Sequence, residues 1–279
     1  MNFLPLPPPR QTPVRVLTIA GSDSGGGAGL QADMRTFALL GVHPLVAITA
    51  VTVQNSLGVS GLHEIPLDVI AGQMEAVVTD IGVQSAKTGM LASAAIIETV
   101  ADRWSGLGLA GTVPLVVDPV CASMHGDPLL HTSALDTLRA ALFPLASLVT
   151  PNLDEVRLLV GIDVVDAATQ RDAAKALHDL GPEWALVKGG HLRSAPRSPD
   201  LLYDGIEFQE FDAPRVDTSH DHGAGDTLAA AIACALAHGY SMPDAVAFGK
   251  AWVTECLRAA YPLGAGHGPV SALFRLQAT

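Results

Sequence analysis

The sequence predicts an α/β fold: a mostly parallel central sheet flanked by helices on both faces. Three observations carry this. Short apolar runs rich in β-branched residues alternate with helical patterns along the whole chain, which is how a parallel sheet buried on both faces reads. Each run stops abruptly at glycine or a polar residue. The residues that collect at these stops are Asp23, Gln54, Lys87, Asp118, Asn152 and Lys188, and open α/β sheets bind ligands outside the carboxyl ends of their strands.

Met1–Pro13 holds five prolines and is expected to be a loose, polyproline-like lead-in to one domain over residues 14–279. Val14–Ala20 reads as a buried strand, followed by the glycine-rich Gly21–Gly29 and a helix over Leu30–Leu40. Pro44–Val53 reads as a second strand closing in Gln54-Asn55. Leu67–Thr79 is amphipathic and helical, Gln84–Met90 contains Lys87-Thr88-Gly89, and a helix follows from about Ala92 to Trp104. Leu115–Val117 is a strand stopping at Asp118-Pro119. Thr132–Phe143 is helical, and Ser147–Val149 is a strand stopping at Thr150-Pro151-Asn152. Leu153–Leu159 and Ala167–Leu180 are helical, and Ala185–Val187 stops at Lys188-Gly189-Gly190. Arg193–Pro199, with two prolines and two arginines, is an exposed loop and candidate lid.

Composition narrows the partners. Of 279 residues 49% are hydrophobic and 16% charged, enough for a large core. The net charge of −12 argues against nucleic acid or an anionic membrane as partner. An anionic substrate must then be held by backbone dipoles, a cation or a few lysines. Three scattered cysteines, without a CxxC pair, exclude a disulfide framework and fit a reducing cytoplasm. No apolar run is long enough to span a membrane, and no signal-peptide pattern is expected.

His222-Gly223-Ala224-Gly225-Asp226-Thr227 runs into the apolar Leu228–Leu236. Converging N–H groups at a helix start, with the positive end of the dipole, make an anion seat, and Asp226 beside it suits a general base. An N-cap role for Asp226 is the plainer alternative. Gly27–Ala32 matches the dinucleotide fingerprint G-x-G-x-x-[GA], but Ser22-Asp23-Ser24 separates it from the strand and no acidic residue closes the next one, so a substrate-covering loop is favoured. Gln54 offers donor and acceptor from one amide, as a flat amino-heterocycle requires. Asn152 and Glu155 can form a capping box or turn together toward Mg²⁺ through waters. Lys188 places a cation at a strand end, and His220 and His222 have a spacing open to a metal but lack a third ligand.

Together, Ile19–Asp33, Thr49–Asn55, Lys87–Leu91, Val117–Val120, Thr150–Glu155, Lys188–His191, His222–Asp226 and Gly266–Val270 resemble the ribokinase-like small-molecule kinases, most closely the hydroxymethylpyrimidine and phosphomethylpyrimidine kinases of thiamine biosynthesis. The motifs run in the family's order over nearly the whole chain. The resemblance implies ATP, Mg²⁺ and two successive phosphorylations of one pyrimidine. Gln54, with Asp33, Gly21, Met90 and Val120, would line the pyrimidine pocket. Asn152, Lys188 and Thr227 would serve ATP, Glu155 and Asp118 the metal, and Gly223, Ala224 and Gly225 would form the anion hole beside the base Asp226. The expected partners are a small aminopyrimidine alcohol and its phosphate, and a second copy of the chain in a homodimer. Two departures bear on substrate: Asp226 stands where this family commonly has cysteine, as in pyridoxal kinases, and Met124 or His125 stands where a lysine often follows Asp-Pro-Val. A pyridoxal kinase is the nearest alternative; a nicotinamide-dependent oxidoreductase and a non-catalytic binding protein are the others.

Overall fold

In the computed structural model, which describes residues 3–121, 132–190 and 197–277, the first apolar run forms β1 (Arg15–Ala20) and the glycine-rich segment leads into α1 (Gly29–Leu39). β2 (His43–Ile48) lies parallel to β1, with Leu17 opposite Leu45 and Ile19 opposite Ala47. Here the expectation of one strand over Pro44–Val53 fails. The chain breaks at Thr49, and β3 (Ala50–Asn55) leaves the main sheet to pair antiparallel with β4 (Gly58–Glu64). Thr49 donates from its N–H to Ala20 O at 3.0 Å and from its hydroxyl to Met90 O at 2.8 Å, so two outside partners turn the backbone there. A run of uniformly strand-forming residues carries no trace of that division.

Next come α2 (Leu67–Asp80), β5 (Ser85–Thr88), α3 (Ala94–Gly106) and β6 (Leu115–Val117). α4 (Thr132–Thr137) continues as a π-helical turn over Leu138–Leu142 before β7 (Leu148–Val149), α5 (Leu153–Val160), α6 (Ala167–His178) and β8 (Ala185–Val187). Two strands beyond those expected, β9 (Asp200–Tyr203) and β10 (Phe208–Phe211), add an antiparallel edge. α7 (Ala224–Ala237) and α8 (Met242–Arg258) complete the chain's long helices.

Eight strands form one sheet in the order β10-β9-β8-β7-β6-β5-β1-β2. β1 pairs with β2 on one side and β5 on the other, so the winding reverses at its carboxyl end. That is where open sheets leave a crevice. Alternation along the strands divides the core. Leu17, Ile19, Val117 and Val187 pack with α2, α3, α5 and α6, while Val16, Val116, Leu148 and Leu186 pack with α1, α7 and α8. The expected two-faced α/β architecture is therefore present.

α7 is buried continuously from Thr227 to Ala235, between the sheet and the helices α1 and α8. Small side chains let it approach the strands closely. The proline-rich lead-in departs from the expectation of looseness: Leu4 is buried, and Phe3 packs against Trp252 and Phe274 at ring-centroid distances of 6.4 and 6.3 Å. Phe3 and Leu4, ahead of the prolines, anchor it. Of the candidate lid, residues 193–196 lie outside the described residues. Arg197 pairs with Asp212, and Ser198 N–H donates to Ala213 O at 3.0 Å, so its end is tied down.

Candidate active site

The carboxyl ends of β1, β5, β6, β7 and β8 and the start of α7 enclose a crevice of about 1430 Å³. That exceeds the few hundred to about 1,000 Å³ typical of a single small ligand and gives room for two. It is lined by Gly21, Gln54, Met90 and Val120, by Asp118, Asn152, Glu155, Lys188 and Gly223–Asp226, and by the apolar Pro214, Val216, Val253 and Leu257. The apolar wall was absent from the sequence expectations. It comes from loop and helix positions whose shared direction appears only after folding.

The helix start is built by close backbone approach. Gly223 caps α7 with φ +77°, and a Cβ there would lie 2.1 Å from Gly27 O, so no other residue fits without moving a loop. A Cβ on Gly225 would lie 3.3 Å from Lys188 Nζ and 3.5 Å from Asp118 Oδ2, inside the space an anion would use. Ala224 N–H donates to Asp221 O at 3.0 Å, so it is spent on the turn. The N–H groups of Gly225 and Asp226 have no partner among the described residues. The seat expected from Gly223, Ala224 and Gly225 therefore shifts one step into the helix, because the turn consumes the Ala224 donor.

Around it stand two clusters of one lysine and two carboxylates. On the crevice side, Lys188 Nζ is 2.9 Å from Asp118 Oδ1, which also accepts from the Thr150 hydroxyl at 2.9 Å. Glu155 completes a capping box: its Oε2 accepts from Asn152 N–H at 2.8 Å and the Asn152 side chain accepts from Glu155 N–H at 2.9 Å. Burial pushes the Glu155 carboxyl up to about 7, with Asp118 adding to the rise and Lys188 opposing it. Burial disfavours the Lys188 ammonium, yet Asp118 and Glu155 more than offset this and raise it.

Beneath the seat, Lys87 Nζ is 2.7 Å from Asp226 Oδ1 and 3.0 Å from both oxygens of Asp33. Burial would raise Asp226, but Lys87, foremost, and the Gly29 N–H at 3.2 Å hold it below the usual carboxylate range. Burial dominates at Asp33 and pushes it up to about 7. Asp33 was expected in the pyrimidine pocket; it is instead fully buried under α1, where its Oδ2 accepts from the Thr18 hydroxyl at 2.6 Å. Thr227, expected at ATP, is also buried and does not line the crevice, because the second turn-face of α7 points into the core.

The glycine-rich loop roofs one end. Asp23 accepts from the N–H groups of Gly25, Gly27 and Ala28 and lies 2.9 Å from His222 Nε2. Burial would raise its carboxyl, but these bonds lower it. Ser24 Oγ donates to Gln54 O at 2.6 Å and accepts from Gln54 N–H at 2.8 Å, so the loop is stitched to β3. The Gln54 side chain lines the crevice 3.5 Å from His222 Nε2. His222 is thus a loop clasp, and His220 Nδ1 accepts from Gly268 N–H at 3.1 Å; among the described residues no cluster suited to hold a metal contains three histidine, cysteine or acidic ligands. Val120 holds φ +33°, unusual for a β-branched residue, at the pocket wall. Met124, His125 and His191 lie outside the described residues.

The crevice thus brings polar side chains, a lysine, carboxylates and apolar residues together at one helix start. The chain is 74% identical to the hydroxymethylpyrimidine/phosphomethylpyrimidine kinase of Mycobacterium tuberculosis, over 99% of this chain and all of that one. Its fold matches the Staphylococcus aureus pyridoxal kinase in complex with ADP (TM-score 0.86, 33% identity, 94% of each chain). It also matches the Clostridium difficile phosphomethylpyrimidine kinase (TM-score 0.76, 36% identity, 87% of this chain and 98% of that one). Residues 23–271 match the phosphomethylpyrimidine kinase family, and the chain belongs to it.

Proposed function

We propose that the chain is an ATP-dependent kinase that phosphorylates 4-amino-5-hydroxymethyl-2-methylpyrimidine and then its monophosphate, in thiamine biosynthesis. The observation that carries this is the pair of N–H groups at Gly225 and Asp226, without a partner among the described residues, beside Lys188 in the crevice that Gln54 also lines. ATP places its base against Val216, Val253 and Leu257 and its transferring phosphate on the seat, with Lys188 on the phosphate oxygens. Gln54 pairs with the amine and ring nitrogen of the pyrimidine between Gly21, Met90 and Val120. Asp226 accepts the hydroxyl proton in the first step; a phosphate acceptor, already ionised, needs no base.

The donor set suits Mg²⁺. Asp118 and Glu155 are adjacent buried carboxylates of like charge that raise Glu155, and magnesium takes one or two carboxylates while keeping its waters. Bound there, it would neutralise charge on the phosphates. A homodimer is supported by the outer face of β3, where Val51 and Val53 are exposed on strands outside the main sheet. Among the described residues no helix is long and apolar enough to cross a membrane, and the net charge of −12 suits a cytoplasmic small-molecule enzyme without a nucleic-acid partner. Pyridoxal phosphorylation is the second reading, favoured by Asp226 in place of cysteine and by the likeness to a pyridoxal kinase. A coupled ATP-consumption assay with both acceptors decides: turnover dependent on the hydroxymethylpyrimidine is expected, and turnover on pyridoxal alone would overturn the proposal.

A further inference from the structure

Lys87 and Asp33 line no part of the crevice, yet they are ionisable groups with no solvent exposure. A buried lysine needs a partner, and Asp226 at 2.7 Å would suffice. The second carboxylate is therefore surplus to simple pairing. It comes from α1, and its own support, Thr18, sits opposite Lys87 on the neighbouring strand β1. Gly89 leaves room for the group: a Cβ there would lie 3.0 Å from Lys87 Nζ and 3.6 Å from Asp226 Oδ1. Only Asp226, with 15% of its side chain exposed, reaches the crevice.

The surplus has a purpose if Asp226 changes charge. In the first transfer the substrate hydroxyl oxygen bonds to the γ-phosphorus. The bond from that phosphorus to the β–γ bridging oxygen breaks, its electron pair leaving with ADP, and the hydroxyl proton passes to Asp226. At that moment Lys87 would be a buried cation without a counter-ion, which a low-dielectric interior strongly disfavours. Asp33, already 3.0 Å from Nζ through both oxygens, holds it. We infer that Lys87 and Asp33 are positioning residues for Asp226: Lys87 fixes the carboxylate's orientation, and Asp33 is the counter-ion that lets it take up a proton. This rests on Asp226 being the base.

The charged groups facing Asp226 are Lys87 from β5, Asp33 from α1, His222 from the loop before α7 and Lys188 from the end of β8, while Asp118 at the end of β6 acts on Lys87. Removing the Asp33 charge leaves Lys87 to Asp226 alone and makes it a weaker base. Asp33→Asn is expected to lower kcat for the alcohol acceptor roughly ten- to a hundredfold, part of the 10²–10⁴ that general bases supply. KM for ATP and the rate on the monophosphate acceptor stay near normal, and the acid limb of the kcat–pH profile moves to lower pH. Lys87→Met moves that limb to higher pH, since two buried carboxylates then face each other. Thr18→Val, which changes no charge, shifts it in the Asp33→Asn direction by less and carries the test if Asp33→Asn does not fold.

Equal loss on both acceptors, or an unmoved acid limb in Asp33→Asn and Thr18→Val, would overturn the inference and leave a structural ion pair. Asp226→Asn separates the two levels. If it spares the alcohol acceptor, the assignment of the base fails. If it slows that step while Asp33→Asn does not, only the counter-ion role fails.

Discussion

The two lysine clusters around the start of α7 have the same composition and opposite surroundings. Lys87 lies between Asp33 and Asp226 with no exposure, whereas Lys188, beside Asp118 and Glu155, keeps 12% of its side chain in the crevice. Each is one positive charge short of balance. Around the fully buried Lys87 and Asp33 no cation from solution can enter, so that shortfall is met when a carboxylate of the cluster takes up a proton. In the open one a cation from solution can meet it. Exposure, more than residue type, separates the two lysines: one lies wholly in the core and the other lines the crevice.

Removing each lysine breaks the comparison most directly. Lys87→Met leaves two buried carboxylates without their cation and is expected to destabilise the fold by about 3–5 kcal/mol, read by denaturant unfolding. Lys188→Met should cost far less stability but lower kcat/KM by roughly 10²–10³, the loss seen when one preorganised stabiliser of transferring charge is removed. Comparable stability losses would erase the distinction. Next in size, Mg²⁺ at tenfold excess over its dissociation constant should stabilise the protein by about 1.4 kcal/mol. Asp118→Asn should abolish this, while Asp33→Asn should not; thermal shift with the metal alone would show it.

The last test concerns pH. Glu155 titrates in the fold at about 7 against an ordinary 4.5. A carboxyl raised on folding binds its proton more tightly in the folded state, so its contribution is fully present below about 4.5 and is lost as pH rises through about 7. Without metal, Glu155→Gln should therefore flatten the stability decline across that window, by up to about 3 kcal/mol. An unchanged slope would place the titration elsewhere.

Much of this was legible in the sequence because the fold exports its chemistry to strand ends. Asp118, Asn152 and Lys188 each follow a short apolar run, and each meets the crevice. The capping box at Asn152 and Glu155 follows from a three-residue spacing. What failed needed a direction rather than a position. Asp33 and Thr227 lie within motifs that approach the ligands, but their helical phase turns them inward. The Ala224 N–H was lost to a turn that only the three-dimensional path of Asp221 reveals. Lys87 did carry a signal: a lysine inside an otherwise buried strand demands a carboxylate. Which carboxylates, from α1 and α7, is set by long-range packing.

The alanine-rich body of α7 has a consequence for where mutations will be felt. Ala229, Ala230, Ala231, Ala233 and Ala235 are all without exposure, wedged between the strands and two helices. A larger side chain at any of them has no free volume to enter, so the helix itself must slide or tilt. Because Gly225 and Asp226 form the first turn of that same helix, a shift of its body is expected to move both residues. The enzyme's sensitivity to substitution should therefore run along a line through its interior, and not fall off as a sphere around the phosphate.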